Sequence, residues 1–402
     1  MSDVQESGLP LIESAFQPIL SLAHGLPIGY EALLRASDRG VPCSPDKAFG
    51  MARASGRYGE YERACAHHHV RRFCRSADDE SVLFLNVHPD VLVDPHDSAC
   101  LVEDVLESGM APSRVVLEIL EAGQETTDVL ADSVERLRGQ GFRVALDDFG
   151  AGLTNLGRVW DLRPDIVKLD RELIWKAAAS YRNARSLLRL VDLLHDIGTL
   201  IVIEGIETEA QAMLSFDCDA DFVQGYFFAM PAFELAPPAV ASPAAGELGS
   251  RLSRAHKLRH VADIEELGPY RKAFARVKRD FCAGRDIAES ARHFFALEWG
   301  QRVFVLDEEG CQAGETIESD RRPPGRDVIF PLLARRVGAN WSKRPYFRHA
   351  LFRPGQIAIS DPYVSSSSRA LCVTFSVYVS RGGGGCVLCA DVLFDELSAK
   401  LR

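Results

Sequence analysis

Carboxylates and other polar side chains recur at the ends of short apolar runs in the first part of this chain. The set is Glu31, Asn86, Glu118, Glu121, Asp147, Asp148, Lys168, Glu204, Glu207 and Gln224. Carboxylates that face one another would repel and take up protons unless cations lay between them. Hard oxygen ligands favour Mg²⁺ or Mn²⁺ over zinc, since no cysteine ends any of these runs and only His88 lies near one. The pattern therefore predicts a site for divalent cations.

The adjacent pair Asp147 and Asp148 predicts two ions rather than one. One carboxylate can bridge both metals while its neighbour serves the second. A spacing of about 3.5–4 Å between two ions suits in-line displacement at phosphorus, with a bound water of lowered pKa as the nucleophile. Lys168 would then orient that water or offset the phosphoryl charge. Taken singly, Glu31 is best read as a solvent-facing strand residue, and any other member as a helix cap, but these explanations do not cover the whole set.

The runs that carry these residues are separated mostly by amphipathic segments. They are FQPIL (16–20), IGYEALL (28–34), SVLFLNV (81–87), RVVLEIL (114–120), RVALDDF (143–149), DIVKLD (165–170), LIVIEGI (200–206) and DFVQGYFF (221–228). Near-continuous apolar strands that alternate with helices predict a parallel sheet covered on both faces. Eight of them predict a closed (β/α)8 TIM-like barrel of the α/β class, whose strands would bring their carboxyl ends together at one rim.

Composition excludes several other kinds of protein. The net charge of −11 argues against a nucleic-acid polymer as partner. No apolar run approaches the roughly 18 residues of a membrane span, and the first residues do not resemble a signal peptide. The ten cysteines are scattered, as expected of reduced thiols. We therefore expect a protein of the cytoplasm without a membrane span.

A stretch rich in Ala, Pro, Gly and Ser at 232–250 marks a domain boundary. We expect the barrel over 1–240, a linker and connector helices over 241–298, and a separate domain over 299–402. The last region has short strands joined by turn residues, which predicts an α+β domain with an antiparallel sheet.

Seven motifs in the first region resemble, in order and spacing, those of EAL-domain cyclic di-GMP phosphodiesterases. They are YEALLR (30–35), FLNVHP (84–89), LEILE (117–121), LDDFGAGLTNL (146–156), VKLD (167–170), IEGIET (203–208) and DFVQGYFFAMP (221–231). The resemblance covers about residues 10–235. It implies Mg²⁺- or Mn²⁺-dependent hydrolysis of 3′,5′-cyclic di-GMP to linear pGpG in a two-metal site, and a homodimer formed through the barrel loops.

The resemblance also implies a role for each matching residue. The ligands of the first metal would be Glu31, Asn86, Glu118 and Asp147, and those of the second Asp147 and Asp148. The attacking water would be held by Lys168, with Glu204 as general base. The supporting acids would be Glu121, which positions the loop after DDFG, and Glu207. Contacts with the cyclic dinucleotide would come from Gln17, Leu33 and Arg35, while Gln224 would help to hold the network of water and metal.

The sequence departs from the family pattern in the loop after DDFG. The family commonly has DDFGTGYSSL, whereas this chain has Ala151, Leu153, Thr154 and Asn155 there. Both glycines of the loop and the hydroxyl at Thr154 are retained, so we expect the loop to adopt the active shape.

The region after residue 299 resembles Cache/PAS-like sensor domains, including the version that follows an EAL domain. The resemblance implies a small-molecule cavity, and the candidate contacts are Arg344, Tyr346, Asp361 and Tyr363. A structural explanation is equally compatible with the sequence: the aromatic rings would fill the core, Arg344 would pair with Asp361, and the domain would serve dimerisation.

Three functions remain open on the sequence alone. The first is an active phosphodiesterase regulated by its C-terminal domain. The second is a catalytically inactive cyclic di-GMP receptor, which loss of a metal ligand would favour, although none is missing. The third is an unrelated barrel metalloenzyme, such as an aldolase or an enolase-type lyase, against which the Asp-Asp pair and the full motif set argue.

Overall fold

The computed structural model describes most of the chain, in nine segments. They are residues 9–22, 24–76, 80–120, 127–151, 156–235, 267–320, 337–364, 371–381 and 384–394. These residues divide between two compact units, Met1–His256 and Lys257–Arg402. None of the described helices is both long and apolar enough to cross a membrane.

The first unit is built on a closed barrel of eight strands with one short strand added outside it. The strands are β1 (Leu11–Ser21), β2 (Leu26–Asp38), β3 (Val41–Cys43), β4 (Val82–Asn86), β5 (Val115–Leu120), β6 (Arg143–Phe149), β7 (Ile166–Leu169), β8 (Leu200–Ile203) and β9 (Phe222–Val223). Their order is β1-β9-β8-β7-β6-β5-β4-β2-β3, and a pairing between β1 and β2 closes the ring. The predicted barrel is therefore confirmed, with β3 lying outside it.

One strand of the barrel differs from the prediction of a parallel sheet. Strand β1 pairs antiparallel with both of its neighbours, β2 and β9. Only residues 22–25 join β1 to β2, and a parallel connection would need a crossover of a dozen or more residues. The first two runs therefore form a hairpin. As a result Gln17 and Glu31 face each other in the middle of two long strands, not at strand ends.

Helices surround the barrel in the usual alternation. They are α1 (Pro45–Ala54), α2 (Tyr58–Cys74), α3 (Pro89–Val93), α4 (Pro95–Glu107), α5 (Thr127–Gly139), α6 (Leu156–Leu162), α7 (Arg171–Ala178), α8 (Tyr181–Ile197) and α9 (Glu209–Asp217). Their local signals agree with the sequence: Gly198, at φ 98°, ends α8, and a reciprocal pair of hydrogen bonds between Thr208 and Gln211 begins α9. The apolar faces of the helices pack on outward-facing strand residues such as Leu83 and Leu117.

The second unit is an α+β domain with an antiparallel sheet. Its elements are helix α10 (267–282 in its described part), α11 (Ile287–Phe295), β10 (Gly300–Leu306), β11 (Ile317–Glu318), α12 (Pro345–Phe352), β12 (Ala358–Ile359), β13 (Tyr363–Val364), β14 (Leu371–Arg381) and β15 (Gly384–Leu393). The sheet order is β11-β10-β15-β14-β12, with β13 also paired to β14. Every described pairing in it is antiparallel, as the sequence indicated.

The helices expected to act as a connector belong to this second unit. Phe274 of α10 and Phe294 of α11 are fully buried, and their ring centroids lie 6.0 and 6.4 Å from that of Phe375 in β14. The unit begins at Lys257 rather than at the predicted residue 299. The basic residues of α10 occupy one side of the helix, while its apolar side, which includes Phe274, is part of the core.

We expect the substitution Phe274→Ala to destabilise the second unit by about 3–5 kcal/mol, because it removes a buried ring and leaves a cavity. Urea unfolding of the full chain, followed by near-ultraviolet circular dichroism, measures the loss. The matched control is Phe352→Ala, whose ring is 81% exposed and should cost about 0.5 kcal/mol or less. Equal losses for the two variants would contradict the assignment of α10 to the core.

Candidate active site

An apolar layer inside the barrel lies directly beneath the polar residues. Its members are Ile19, Phe84, Val116, Ala145, Ile166 and Val202, with Phe222 packed against them. Side chains two positions apart on a strand point to the same face. The residues two positions further towards the mouth are Gln17, Asn86, Glu118, Asp147, Lys168, Glu204 and Gln224. The apolar layer therefore fills the barrel interior and holds a ring of polar groups above it.

The same periodicity accounts for Glu31 on β2. Gly29 occupies the position two residues before it, where an added Cβ atom would lie 2.2 Å from the carbonyl oxygen of Val82. Glycine thus permits the close approach of β2 to β4 at this level of the barrel.

Lys168 lies at the centre of the polar ring. Its Nζ atom is 2.6 Å from Glu204 Oε1, 2.7 Å from Glu118 Oε1, 3.1 Å from Asp147 Oδ1 and 3.3 Å from Glu31 Oε2. Lys168 is 1% exposed. Burial disfavours the charged ammonium, but the four surrounding carboxylates outweigh burial and raise the pKa of Lys168 well above its usual value. One positive charge therefore faces four negative side chains.

Glu31 is the carboxylate best supported by neighbouring donors. Burial opposes its ionisation, yet Lys168 and the side-chain amides of Gln224 and Asn86 outweigh burial and lower its pKa. Asn86 Nδ2 donates to Glu31 Oε1 at 2.8 Å, and Gln224 Nε2 donates to Glu31 Oε2 at 2.8 Å. Gln224 Nε2 also lies 3.2 Å from Gln17 Oε1, so the amides fix Glu31 from two sides.

Two other carboxylates hold protons more strongly than usual. Burial, followed by repulsion from Glu31, raises the pKa of Glu118 well above its ordinary value. Burial also raises the pKa of Glu204 to about 8, although Lys168 acts in the opposite direction. Without a further cation, the pKa values of these two carboxylates are thus raised, as expected of acids that face one another.

Strand β6 ends in an irregular pair of residues. Its register with β7 shifts between Leu146 and Phe149, and Asp148 adopts φ 55°, which is unusual for a residue other than glycine. Burial and the neighbouring Asp147 raise the pKa of Asp148 to about 6. The bulge brings ligand oxygens of Asp147, Asp148 and Glu204 within 4.8 Å of one another.

The donor set fits divalent cations. Glu118 Oε2 and Gln224 Oε1 are buried without a hydrogen-bond partner among the described residues. A buried oxygen in this state loses its hydration without compensation unless an ion or water binds it. All of the negative groups offer hard oxygen atoms, which suit Mg²⁺ and Mn²⁺. Because it lies close to Asp147 and Asp148, Glu204 is a further candidate ligand of the second ion. The family resemblance implied only the role of general base for this residue.

A cleft of about 300 Å³ opens above these groups. Among the predicted residues, its wall includes Gln17, Glu31, Asp148, Glu204, Glu207 and Gln224. Five further residues line the cleft, and three of them have polar side chains that the sequence analysis did not select: Asp170, Arg171 and Tyr226. Asp170 was visible as the last letter of VKLD, and its carboxylate also caps α7 by accepting from the Glu172 N–H.

Arg171 lies just outside the quoted motifs, whereas Tyr226 lies inside DFVQGYFFAMP without being selected. The placement of Arg171 depends on a contact distant in sequence. Gly205, at φ 63°, passes so close to Arg171 that an added Cβ would lie 2.2 Å from the Arg171 Cβ. The guanidinium of Arg171 lies 5.1 Å from the ring centroid of Trp175. Tyr226 is 57% exposed at the mouth of the cleft.

Some predicted residues lie away from the cleft wall or outside the described residues. Leu33 and Arg35 share the face of Glu31 further along β2, opposite Ala15 and Glu13 of β1, and neither lines the cleft. Glu121 and the loop residues 152–155 lie outside the described part of the chain.

The four residues of the second unit that were predicted to contact a small molecule differ in burial and in their contacts. The guanidinium of Arg344 lies 5.3 Å from the ring centroid of Tyr363 and 5.8 Å from that of Trp341. Tyr346 is buried in the core, and the Tyr363 hydroxyl lies 2.8 Å from Thr374 Oγ1. Asp361 is exposed. Tyr346 is thus part of the core, and Tyr363 packs against it.

Comparison with known proteins identifies the family of the first unit. The sequence pattern of the EAL domain matches residues 9–231, which is more than half of the chain, and the protein therefore belongs to the EAL domain family. It is 30% identical over 227 residues to the probable cyclic di-GMP phosphodiesterase PdeI of Escherichia coli K12, covering 54% of this chain and 28% of that protein. It is also 30% identical over 233 residues to the cyclic di-GMP phosphodiesterase NbdA of Pseudomonas aeruginosa, covering 55% of this chain and 29% of that protein. The chain thus spans less than a third of the length of these two relatives.

The likeness to a solved structure extends further. The crystal structure of Bacillus subtilis YkuI, in complex with substrate c-di-GMP and calcium, superposes with a TM-score of 0.78 at 22% identity. The match covers 95% of this chain and 96% of that chain. At this identity the comparison shows the fold alone, for both units.

We expect Mn²⁺ to bind more weakly at pH 6 than at pH 8, because it must displace protons from carboxylates such as Glu204, whose pKa is raised to about 8. Isothermal titration calorimetry in buffers of different ionisation enthalpy should register proton release. The control is Glu204→Gln, which should release fewer protons. Identical heats in every buffer would contradict a site of protonated ligands.

Proposed function

We propose that this protein is a metal-dependent phosphodiesterase that hydrolyses 3′,5′-cyclic di-GMP to linear pGpG. The observation that carries the proposal is the buried Lys168 with four carboxylates within 3.3 Å, in a chain of the EAL domain family. The names of PdeI and NbdA support the choice of substrate and reaction. Mg²⁺ or Mn²⁺ would be held by Glu31, Asn86, Glu118, Asp147 and Asp148.

The residues of the site divide the chemical work. Bound divalent ions would supply compensating charge and lower the pKa of a water molecule in the site. Lys168 donates a hydrogen bond that orients this water. Glu204 lies 2.6 Å from the Lys168 Nζ and accepts a proton from the water. The water oxygen then bonds to phosphorus while the bond to the ribose 3′-oxygen breaks, and the departing oxygen takes up the proton that Glu204 accepted from the water. The product retains a 5′-phosphate.

Substrate contacts would come from both sides of the cleft. Gln17 lies beside Glu31, and Leu33 and Arg35 continue the same face of β2 outward, so these three residues form one strip along the hairpin. Arg171 offers a positive charge at the opposite wall, and Tyr226 offers an exposed ring on which a base can stack.

The full set of ligand positions favours hydrolysis over simple binding. A cyclic di-GMP receptor without activity would tolerate loss of a metal ligand, yet every position implied by the family carries a suitable residue. Membership of the EAL domain family also argues against an aldolase or an enolase-type lyase.

We propose further that the second unit is a PAS/Cache-like domain that regulates the first, in a homodimer. Its antiparallel sheet flanked by helices supports the assignment to this class of fold. Arg344 and Asp361 are the members of the predicted set best placed to contact a ligand, because Tyr346 is part of the core and Tyr363 packs against it.

The purified full chain with Mn²⁺ is expected to convert cyclic di-GMP to pGpG, and Glu31→Ala or Asp147→Asn to lower kcat/KM by about a thousandfold or more. Chromatographic separation of substrate and product measures the rate. Glu135→Gln, which removes an exposed carboxylate on α5, is the matched control and should leave the rate unchanged. Tight binding of cyclic di-GMP without product would establish the receptor instead.

Replacement of Arg171 by alanine should raise KM for cyclic di-GMP about tenfold with little change in kcat, because a charge-assisted contact with substrate is lost while the reacting groups stay in place. Arg182→Ala, an exposed arginine on α8, provides the comparison. A loss confined to kcat would show that Arg171 serves the chemical step rather than binding.

A further inference from the structure

A second groove lies entirely within the second unit, between α10 and the segment that follows α12. Its volume is about 620 Å³, which is within the range of small-molecule sites. One wall is a stripe of α10 that includes Arg271, Lys278 and Arg279, and the other includes Gly355 and Ile357. Among the residues that the structure describes, no carboxylate lines the groove.

The charge of this wall is opposite to that of the protein as a whole. Over its described residues 267–282, α10 carries five cations and one acid, whereas the chain has a net charge of −11. The acid, Asp280, is buried and pairs with Arg279 at 3.6 Å and with Arg285 at 3.7 Å. Arg271 has no ion pair among the described residues. A concentrated positive potential therefore remains along the groove.

The backbone on the far wall is fixed by the same helix. Lys278 Nζ donates to the Gly355 carbonyl oxygen at 2.7 Å, and the Gly355 N–H donates to the Tyr378 carbonyl oxygen at 3.0 Å. The groove is thus tied to both α10 and the sheet. Ala275 and Ile357 add apolar surface between the charged groups.

The spacing of the cations selects the kind of ligand. Arg271 and Arg279 are eight residues apart, which corresponds to about 12 Å along a helix, with Lys278 between them. A single phosphate would contact one end only. A chain of phosphates attached to an apolar ring system would meet all three cations and the apolar wall.

We propose that this groove binds a small molecule with several phosphate groups, of the size of a nucleoside triphosphate. This site is separate from the acidic cleft of the first unit, and it gives the second unit a ligand chemistry of its own. The proposal does not depend on the hydrolysis of cyclic di-GMP.

The test uses the full chain in EDTA with GTP as the probe and isothermal titration calorimetry as the measurement. Without divalent ions, the carboxylates around Lys168 repel GTP, so binding reports on the basic groove. We expect one GTP per chain with a dissociation constant below about 100 µM, and binding of guanosine at least about tenfold weaker. Absence of GTP binding would overturn the proposal, as would equal affinity for guanosine.

Two double variants locate the site. Arg271→Glu with Arg279→Glu should weaken GTP binding by about tenfold or more, whereas Lys272→Glu with Arg276→Glu should change it by less than about threefold. The second pair makes the same change in net charge on the same helix, but neither residue lines the groove. An equal loss of GTP affinity in both variants would show that GTP responds to the overall charge of the helix, and it would overturn the assignment to the groove. If a 20-base-pair DNA duplex bound more tightly than GTP and with a steep dependence on salt, the ligand would be a nucleic acid and the proposal would be overturned.

Discussion

The constraint on which the first unit depends is the burial of one ammonium group among four carboxylates. Lys168 alone cannot balance Glu31, Glu118, Asp147 and Glu204. Burial, together with repulsion from neighbouring carboxylates, raises the pKa values of Glu118 and Glu204. The barrel enforces this imbalance because an apolar layer fills its interior and prevents the acids from turning inward. The surplus of buried carboxylates at this mouth makes the site receptive to divalent cations, and the cations in turn suit it to a phosphodiester.

Much of this arrangement was predictable from the sequence because strand ends in a barrel converge wherever they lie in the chain. The eight apolar runs and the polar residues that follow them were enough to identify the barrel and to collect Asn86, Glu118, Asp147 and Lys168 in one place. The family motifs then supplied an activity. The hairpin of β1 and β2 was missed since the apolar pattern of a strand carries no direction; the four-residue connection at 22–25 was the signal that could have revealed it.

Other features were beyond local patterns. The left-handed backbone of Asp148 and the approach of Gly205 to Arg171 arise from packing between distant segments, so the exact wall of the cleft could not be read from spacing. The same limit explains why helix α10 was predicted to be part of a connector rather than of the second unit. The sequence shows the basic side of α10 plainly, but the contact of Phe274 with Phe375, about one hundred residues later, decides that the helix belongs to the second unit. The first unit thus has an acidic cleft, and the second unit has a groove with a basic wall.

Anomalous diffraction from crystals of the protein grown with Mn²⁺ tests the central claim most directly. The account predicts two anomalous peaks about 3.5–4 Å apart at the barrel mouth, with Asp147 between them and Glu31 and Glu118 on one of the ions. A mouth without anomalous density at saturating Mn²⁺, with Lys168 still enclosed by the same acids, would contradict it.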